Sequence, residues 1–173
     1  MLTKIDICSM ALLKLGENPI QSLTDDSAPA KLARTLFDTV MDGLLSLHPW
    51  RFATQTLDLV RNTDGNFLIP SNVLRVLDAP GRIIANRVIT DTPTTTITAV
   101  VKTPPEQYPG YFVSLAATRL AMEFCIPLSG NQNIFRMLVA LYETELQTAK
   151  FIDSSTCNQS GIRDFSLIDS RFQ

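Results

Sequence analysis

The sequence is poor in the residues that most enzyme and metal sites need. Among 173 residues it has one histidine, His48, and three cysteines, Cys8, Cys125 and Cys157. The cysteines are too widely spaced for a zinc motif or a redox pair, and their odd number suits reduced thiols in a cytosolic setting. A catalytic triad or a Cys–His pair would have to use His48.

Glycine-rich loops and long apolar runs are also missing. Neither a Gly-x-x-x-x-Gly-Lys-Ser/Thr nor a Gly-x-Gly-x-x-Gly motif occurs, so a loop that cradles nucleotide phosphates is not indicated. No apolar run approaches the roughly 20 residues that cross a membrane. Residues 1–10 carry acidic and polar groups, unlike a signal peptide. We therefore expect a soluble intracellular protein with no cofactor and no membrane partner.

The charges are nearly balanced. Lys and Arg number 15 and Asp and Glu number 17, which gives a net charge of -2. Such a balance argues against a protein that wraps nucleic acid by neutralising phosphates. At 45% hydrophobic and 18% charged residues, the chain has enough apolar side chains for a core of its own.

The distribution of proline predicts where helices form. Seven of the ten prolines lie between Pro49 and Pro109, and proline breaks helix interiors. Apolar residues at helical spacing in the flanking regions predict four helices. They are expected at Lys4–Leu15 and Ala28–Leu47, then from Pro109 or Gly110 to Cys125, and from Asn131 or Gln132 to Ile152.

The middle of the chain has a different composition. Arg82–Ile89 and Thr95–Lys102 are rich in Ile, Val and Thr and flank a turn-like segment, Thr90–Thr94. This pattern predicts a β-hairpin. The expected fold class is mainly α: a four-helix bundle with a β-hairpin-containing insertion between helices two and three, and an extended C-terminal tail. The expected organisation is a helical domain at residues 1–152, with the insertion at about 51–108, and a tail at 153–173.

Few side chains offer a catalytic arrangement. Asp38 and Asp42 share one face of the second predicted helix, and paired carboxylates can transfer protons or bind a divalent cation. An ion pair between Arg34 and Asp38, four residues apart, explains the same pattern. His48 fits a helix-end cap before Pro49. We therefore predict no catalytic and no metal-binding residue.

The tail combines polar residues with isolated large apolar ones. Too polar to form a core of its own, it still has more large apolar groups than a solubilising tail needs. Two interpretations remain open: the tail binds a partner, or it packs on its own helices. The large apolar residues are Ile162, Phe165, Leu167, Ile168 and Phe172.

Three stretches carry a resemblance to a known family. They are residues 5–17 (IDICSMALLKLGE), 20–27 (IQSLTDDS) and 48–53 (HPWRFA). One combination is unusual: Ala-Leu-Leu and Gly-Glu in the first stretch, with His-Pro-Trp near residue 50. The chain resembles the tail tubular protein A family, the head-to-tail adaptors or portal-binding neck proteins of tailed bacteriophages. Residues 108–121 and 142–150 show a weaker similarity to later helices of that family.

The resemblance implies a structural function and no enzymatic one. Family members form a ring, usually dodecameric, that binds the portal protein on one side and a tail or nozzle protein on the other. Double-stranded DNA passes through the centre. The implied location is the virion neck, after synthesis in the host bacterial cytoplasm. Arg51 and the tail residues Ile162, Phe165, Leu167, Ile168 and Phe172 are the predicted partner-binding residues.

The sequence also leaves two other function classes open. It does not distinguish a short-tailed phage from a longer-tailed one with a related neck protein. A small helical DNA-binding regulator would need a basic recognition helix, and none of the four predicted helices is basic. A small enzyme would have to use Asp38, Asp42 or His48.

Overall fold

The structure is a computed structural model that describes residues 1–155. Within these residues two helices precede a block of strands and two helices follow it. The helices are α1 (Lys4–Lys14), α2 (Ala28–Leu47), α3 (Gly110–Leu128) and α4 (Gln132–Ser155). The strands are β1 (Thr54–Leu59), β2 (Phe67–Leu68), β3 (Val73–Asp78), β4 (Arg82–Ile84), β5 (Arg87–Ile89) and β6 (Thr95–Val101).

The fold is an α+β mixture, so the predicted mainly α four-helix bundle is wrong. The structure is 52% helical and 18% strand. The strands form two three-stranded antiparallel sheets with the orders β1-β6-β3 and β2-β5-β4. The sequence also predicts short extended segments at residues 67–70 and 73–77, and β2 and β3 form there. The prediction of one hairpin in this region missed the two sheets, because β6 pairs with β1 and β3, which are distant in the sequence.

Capping side chains begin α1 and α2 at the predicted residues. The Thr3 hydroxyl accepts the Asp6 backbone N–H, and the Asp6 carboxylate accepts the Thr3 N–H at 2.7 Å, which makes a capping box. The Ser27 hydroxyl accepts the Ala30 N–H at the start of α2. Gly16 follows the end of α1 with a φ of +79°, the left-handed conformation with which glycine commonly ends a helix.

Helix α3 is longer than predicted. It was expected to end at Cys125 because Pro127 and Gly130 follow, but it continues through Pro127 to Leu128. A proline in the last turn removes only one intrahelical donor. The backbone N–H groups of Ser129 and Gly130 both bond to the Cys125 carbonyl, and Gly130 has a φ of +60°. The glycine therefore ends the helix, and the proline does not.

Helix α3 lies at the centre of the helical layer and contacts α1, α2 and α4. Helical spacing predicts an apolar face on α3, and all the residues of that face are buried in the structure. They are Phe112, Leu115, Ala116, Leu120 and Phe124. By length and composition alone, α3 is apolar enough to cross a membrane. Its burial among three other helices accounts for that composition.

The apolar stripe that helical spacing predicts on α2 is only partly its buried face. The predicted stripe contains Leu32, Leu36, Val40 and Leu44, widened by Phe37, Met41 and Leu45. Leu44 and the three widening residues are buried, whereas the first three residues of the stripe are only partly buried. Ala30 and Ala33 are buried as well, and a pattern that weights large residues does not detect them.

The β1-β6-β3 sheet packs against the helical core, and the β2-β5-β4 sheet packs against the first sheet. β6 lies between β1 and β3, and its Val100 packs with residues of the helices. A second, smaller core lies among the strands and contains Leu59, Phe67, Ile69, Val88, Ile97 and Ala99. Because this core takes residues from both sheets, it holds the β2-β5-β4 sheet against the β1-β6-β3 sheet.

The predicted hairpin between Arg82–Ile89 and Thr95–Lys102 is wrong. β4 pairs with β5 instead, around a tight turn in which Ala85 and Asn86 have φ of 45° and 62°. Two consecutive left-handed residues are typical of a type I′ turn, whose twist matches that of antiparallel strands. Thr90–Thr94 therefore connects the two sheets.

Gly81→Ala is expected to destabilise the protein more than Gly16→Ala. Gly81 has a φ of +121°, and a Cβ there would lie 2.3 Å from the Ile89 carbonyl oxygen. A Cβ at Gly16 would have no neighbour within 4 Å. We expect a loss of about 2–3 kcal/mol at Gly81 and about 1 kcal/mol at Gly16. Urea denaturation measures both, and equal losses would contradict the close contact.

The buried thiols are expected to be unreactive in the folded protein. Cys8 and Cys125 are both free and fully buried. Burial raises the pKa of the Cys8 thiol to about 12, so almost no reactive thiolate is present at neutral pH. In a Cys157→Ser variant, a chromogenic disulfide reagent should modify neither remaining thiol until the protein is denatured. Rapid modification of the folded variant would show that the core is open.

Candidate functional site

The predicted partner-binding residue Arg51 lies beside a buried carboxylate. Arg51 begins a 3-10 turn, Arg51–Ala53, directly after α2 and the His-Pro-Trp motif. Its backbone N–H lies 3.2 and 3.3 Å from the two carboxylate oxygens of Asp153, and its side chain is exposed. The other predicted partner-binding residues lie outside the described residues: Ile162, Phe165, Leu167, Ile168 and Phe172.

Asp153, on the last turns of α4, connects three helices. It is 1% exposed. The hydroxyl of Tyr111, in the first turn of α3, donates to it at 2.7 Å. The Nε2 atom of His48, the residue that ends α2, lies 3.4 Å from the other carboxylate oxygen. We call the group of Asp153, His48, Arg51 and Tyr111 the Asp153 junction.

The chemistry of the Asp153 junction favours structural support over catalysis. A histidine beside a buried aspartate is the pair that orients a general base, but the third side chain here is a phenol that donates to the same carboxylate. Burial first, and then the hydrogen bond to Asp153, raise the pKa of the Tyr111 hydroxyl. The phenol therefore remains a donor at neutral pH.

Asp153 was missed by the sequence analysis, although a signal for it exists. The predicted apolar face of α4 includes Leu138 and Ala149, both of which are buried. Asp153 lies four residues after Ala149, so it continues that face one turn further. A charged residue on a buried helical face needs hydrogen-bond partners. Periodicity therefore indicates that Asp153 is buried, but it does not identify the partners.

Aromatic side chains pack against the Asp153 junction. Trp50 is fully buried, and its Nε1 donates to the Leu44 carbonyl at 3.0 Å. Its ring centroid lies 4.8 Å from that of His48 and 5.1 Å from that of Phe112, both edge-on. Phe52 is half-buried, 4.9 Å from Phe112. Trp50 and Phe52 therefore anchor the chain as it leaves α2.

The paired carboxylates of α2 are each bonded to a lysine. Asp38 accepts from Lys4 Nζ at 2.7 Å, and Asp42 accepts from Lys102 Nζ at 2.9 Å. The expected ion pair between Arg34 and Asp38 is wrong, since Arg34 donates to a backbone carbonyl. The hydrogen bond to Asp42 raises the pKa of Lys102. Within residues 1–155, no three metal-ligating side chains come together.

A second polar network lies between α1, α3 and α4. Lys14 Nζ donates to the Thr118 hydroxyl at 2.7 Å and lies 3.4 Å from Glu145 Oε1. Ser114 donates to the same oxygen at 2.8 Å, and Thr118 donates to the other. The donors and acceptors satisfy one another, so the network joins the three helices and offers no unmatched group to a ligand.

No protein-family model and no curated protein matches the chain. The adaptor resemblance therefore rests on residues 5–17, 20–27 and 48–53. The first of these stretches forms α1 and its end, the second leads to the cap of α2, and the third forms the turn that carries Arg51. The third stretch thus contributes two members of the Asp153 junction.

Proposed function

We propose that this protein is a structural head-to-tail connector of a tailed phage. In this role it is one subunit of a ring that lies under the portal, joins the capsid to the tail and lets double-stranded DNA pass. The observation that carries the proposal is that Arg51, a predicted partner-binding residue, is fixed through its backbone to Asp153 near the end of α4. Ile162 follows Asp153 by nine residues, at most about 30 Å of chain. Arg51 and Ile162 can therefore contribute to one contact surface.

The Asp153 junction suits an attachment point that carries load. It fixes the end of α4 to the turn after α2 and to the start of α3 through one buried carboxylate. Trp50 is fully buried and packs against His48 of this junction. A segment that binds a partner transmits force to the fold through the residues at which it begins. Here those residues are at the end of α4, which Asp153 bonds to the end of α2 and to the start of α3.

The charges of the strand region suit a channel through which DNA slides. Phosphate binding requires basic side chains directed at solvent. Basic side chains of residues 51–108 contact groups of the same chain. These contacts are Arg61 to the Gly65 carbonyl, Arg75 to the Ser46 carbonyl, Arg87 to Asp64, and Lys102 to Asp42. The carboxylates of Asp64 and Asp42 offset the charges of Arg87 and Lys102, which supports DNA passage without strong binding.

Mass measurement of the chain with the portal protein of its phage tests the proposal. Alone, the chain should be a monomer or a ring, and with portal it should form one stable multi-subunit complex. The control is the chain mixed with double-stranded DNA, where we expect no tight complex. A portal mixture without association would contradict the proposal, and tight DNA binding by the chain alone would favour a DNA-binding regulator.

Removal of residues 160–173 is expected to weaken portal binding while the helical circular dichroism signal stays unchanged. The deletion removes five large apolar side chains, and we expect at least about a tenfold loss of affinity, equivalent to ~1.4 kcal/mol. Ile84→Ser, at an exposed apolar residue of β4, serves as the control and should bind normally. A deletion that lowers the helical signal would instead show that these residues belong to the helical core.

A further inference from the structure

Three neighbouring depressions lie between the helices, and Lys14 lines two of them. One of about 230 Å³, between α3 and α4, extends to Ile152 near the end of α4. The second, of about 490 Å³, lies between α1 and α3 and includes Leu13. The third, of about 400 Å³, includes Met137 of α4. Neighbouring depressions share Ser114 or Lys14, so they form one surface, which we call the Lys14 face.

The Lys14 face is apolar at its margins and polar at its centre. Leu13 is 60% exposed, Met137 73% and Leu141 41%. At the centre, Lys14 and Glu145 satisfy each other within the network of α1, α3 and α4. Exposed leucine and methionine side chains that are grouped around satisfied polar groups are typical of a surface that another segment covers.

The position of the C-terminal segment indicates which segment covers this face. The described chain ends at Ser155, three residues after Ile152, which borders the first depression. The following 18 residues, 156–173, include five large apolar side chains. The depression between α3 and α4 therefore begins near the residue after which this segment follows, and the segment has large apolar residues that match the exposed apolar margins of the face.

The length of the segment is sufficient for it to reach the whole face. Met137 lies 18 residues before Ser155 on α4, which is about 27 Å along a helix. Ten extended residues, from Ser155 to Phe165, span about 33 Å, and the complete segment spans about 60 Å. A tether of this length also gives the segment a high effective concentration at its own face.

We infer that residues 156–173 bind the Lys14 face of their own chain in the free subunit. The large apolar residues of the segment cover Leu13, Met137 and Leu141, and a partner that recruits the segment has to displace it from this face. The inference does not depend on the connector role, because it concerns the isolated chain.

The rate of thiol modification at position 137 tests the inference. In a full-length Met137→Cys, Cys157→Ser variant, the new thiol should react with a maleimide slowly. Adding Phe165→Asp and Ile168→Asp should raise its rate on the order of tenfold, since the tethered segment no longer covers the face. The matched control is Ile83→Cys in the same backgrounds, because Ile83 lies on β4 and is 49% exposed. Its rate should stay the same.

Each alternative result has a defined meaning. Equal rates at position 137 with and without the two aspartates would overturn the inference. Protection that increases with protein concentration would assign the face to the segment of a second copy and would also overturn it. Protection that is independent of concentration and lost with the aspartates is the expected result.

Discussion

Trp50→Ala is expected to lower the free energy of unfolding by about 3–5 kcal/mol, the range for removal of a large buried aromatic side chain. Trp50 is fully buried, and its ring contacts His48 and Phe112 edge-on. The substitution leaves a cavity beneath the Asp153 junction and removes the Nε1 donor from the Leu44 carbonyl. Both effects act where α2 leads into the sheet.

The measurement is urea denaturation followed by circular dichroism, because Trp50 is the only tryptophan of the chain and its fluorescence is lost in the variant. Leu47→Ala is the matched control, since Leu47 lies on the same helix end but is 54% exposed. We expect the control to change stability by less than about 0.5 kcal/mol. Similar losses in the two variants would contradict the anchoring role of Trp50.

Asp153→Ala is expected to cost about 2–4 kcal/mol, well above the usual effect of a change near a helix end. The alanine leaves the Arg51 N–H and the Tyr111 hydroxyl without their acceptor, and it removes the carboxylate that faces His48. Urea denaturation followed by Trp50 fluorescence measures the loss. The variant should also loosen the turn that carries Arg51.

Tyr111→Phe distinguishes the stability contribution of the Asp153 carboxylate from that of one of its hydrogen-bond donors. It removes a single hydroxyl, and Asp153 keeps the Arg51 N–H, so we expect a loss of only about 1 kcal/mol. If Asp153→Ala costs no more than Tyr111→Phe, then the carboxylate does not hold the three helices together, and the Asp153 junction is not a structural tie.

Helix ends could be predicted from the sequence because their signals are local. α2 has its predicted bounds, since the Ser27 cap and the restriction that Pro49 imposes on His48 act within a few residues of each end. Of the two expected stops of α3, Pro127 does not end the helix because a proline in the last turn costs little, whereas Gly130 does end it. Short-range rules therefore work where the determining groups are neighbours in the chain.

The strand pairing and the site could not be predicted, because their determinants are distant in sequence. β6 pairs with β1, about 40 residues earlier, and with β3 on its other side, and no local pattern distinguishes these pairings from a hairpin. Asp153 meets Tyr111 and Arg51 across 42 and 102 residues. The family resemblance points to Arg51 as a partner-binding residue. No sequence pattern shows that the buried carboxylate of Asp153 accepts the backbone N–H of Arg51.

Locating the chain in purified virions tests the central claim most directly. Cryo-electron microscopy of the neck, with this chain carrying a small fusion tag at its N-terminus, should show a tagged ring between the portal and the tail. The fold of residues 1–155 should fit that density, with the Asp153 junction facing a neighbouring protein. Infectious virions whose neck contains no copy of this chain would contradict the account.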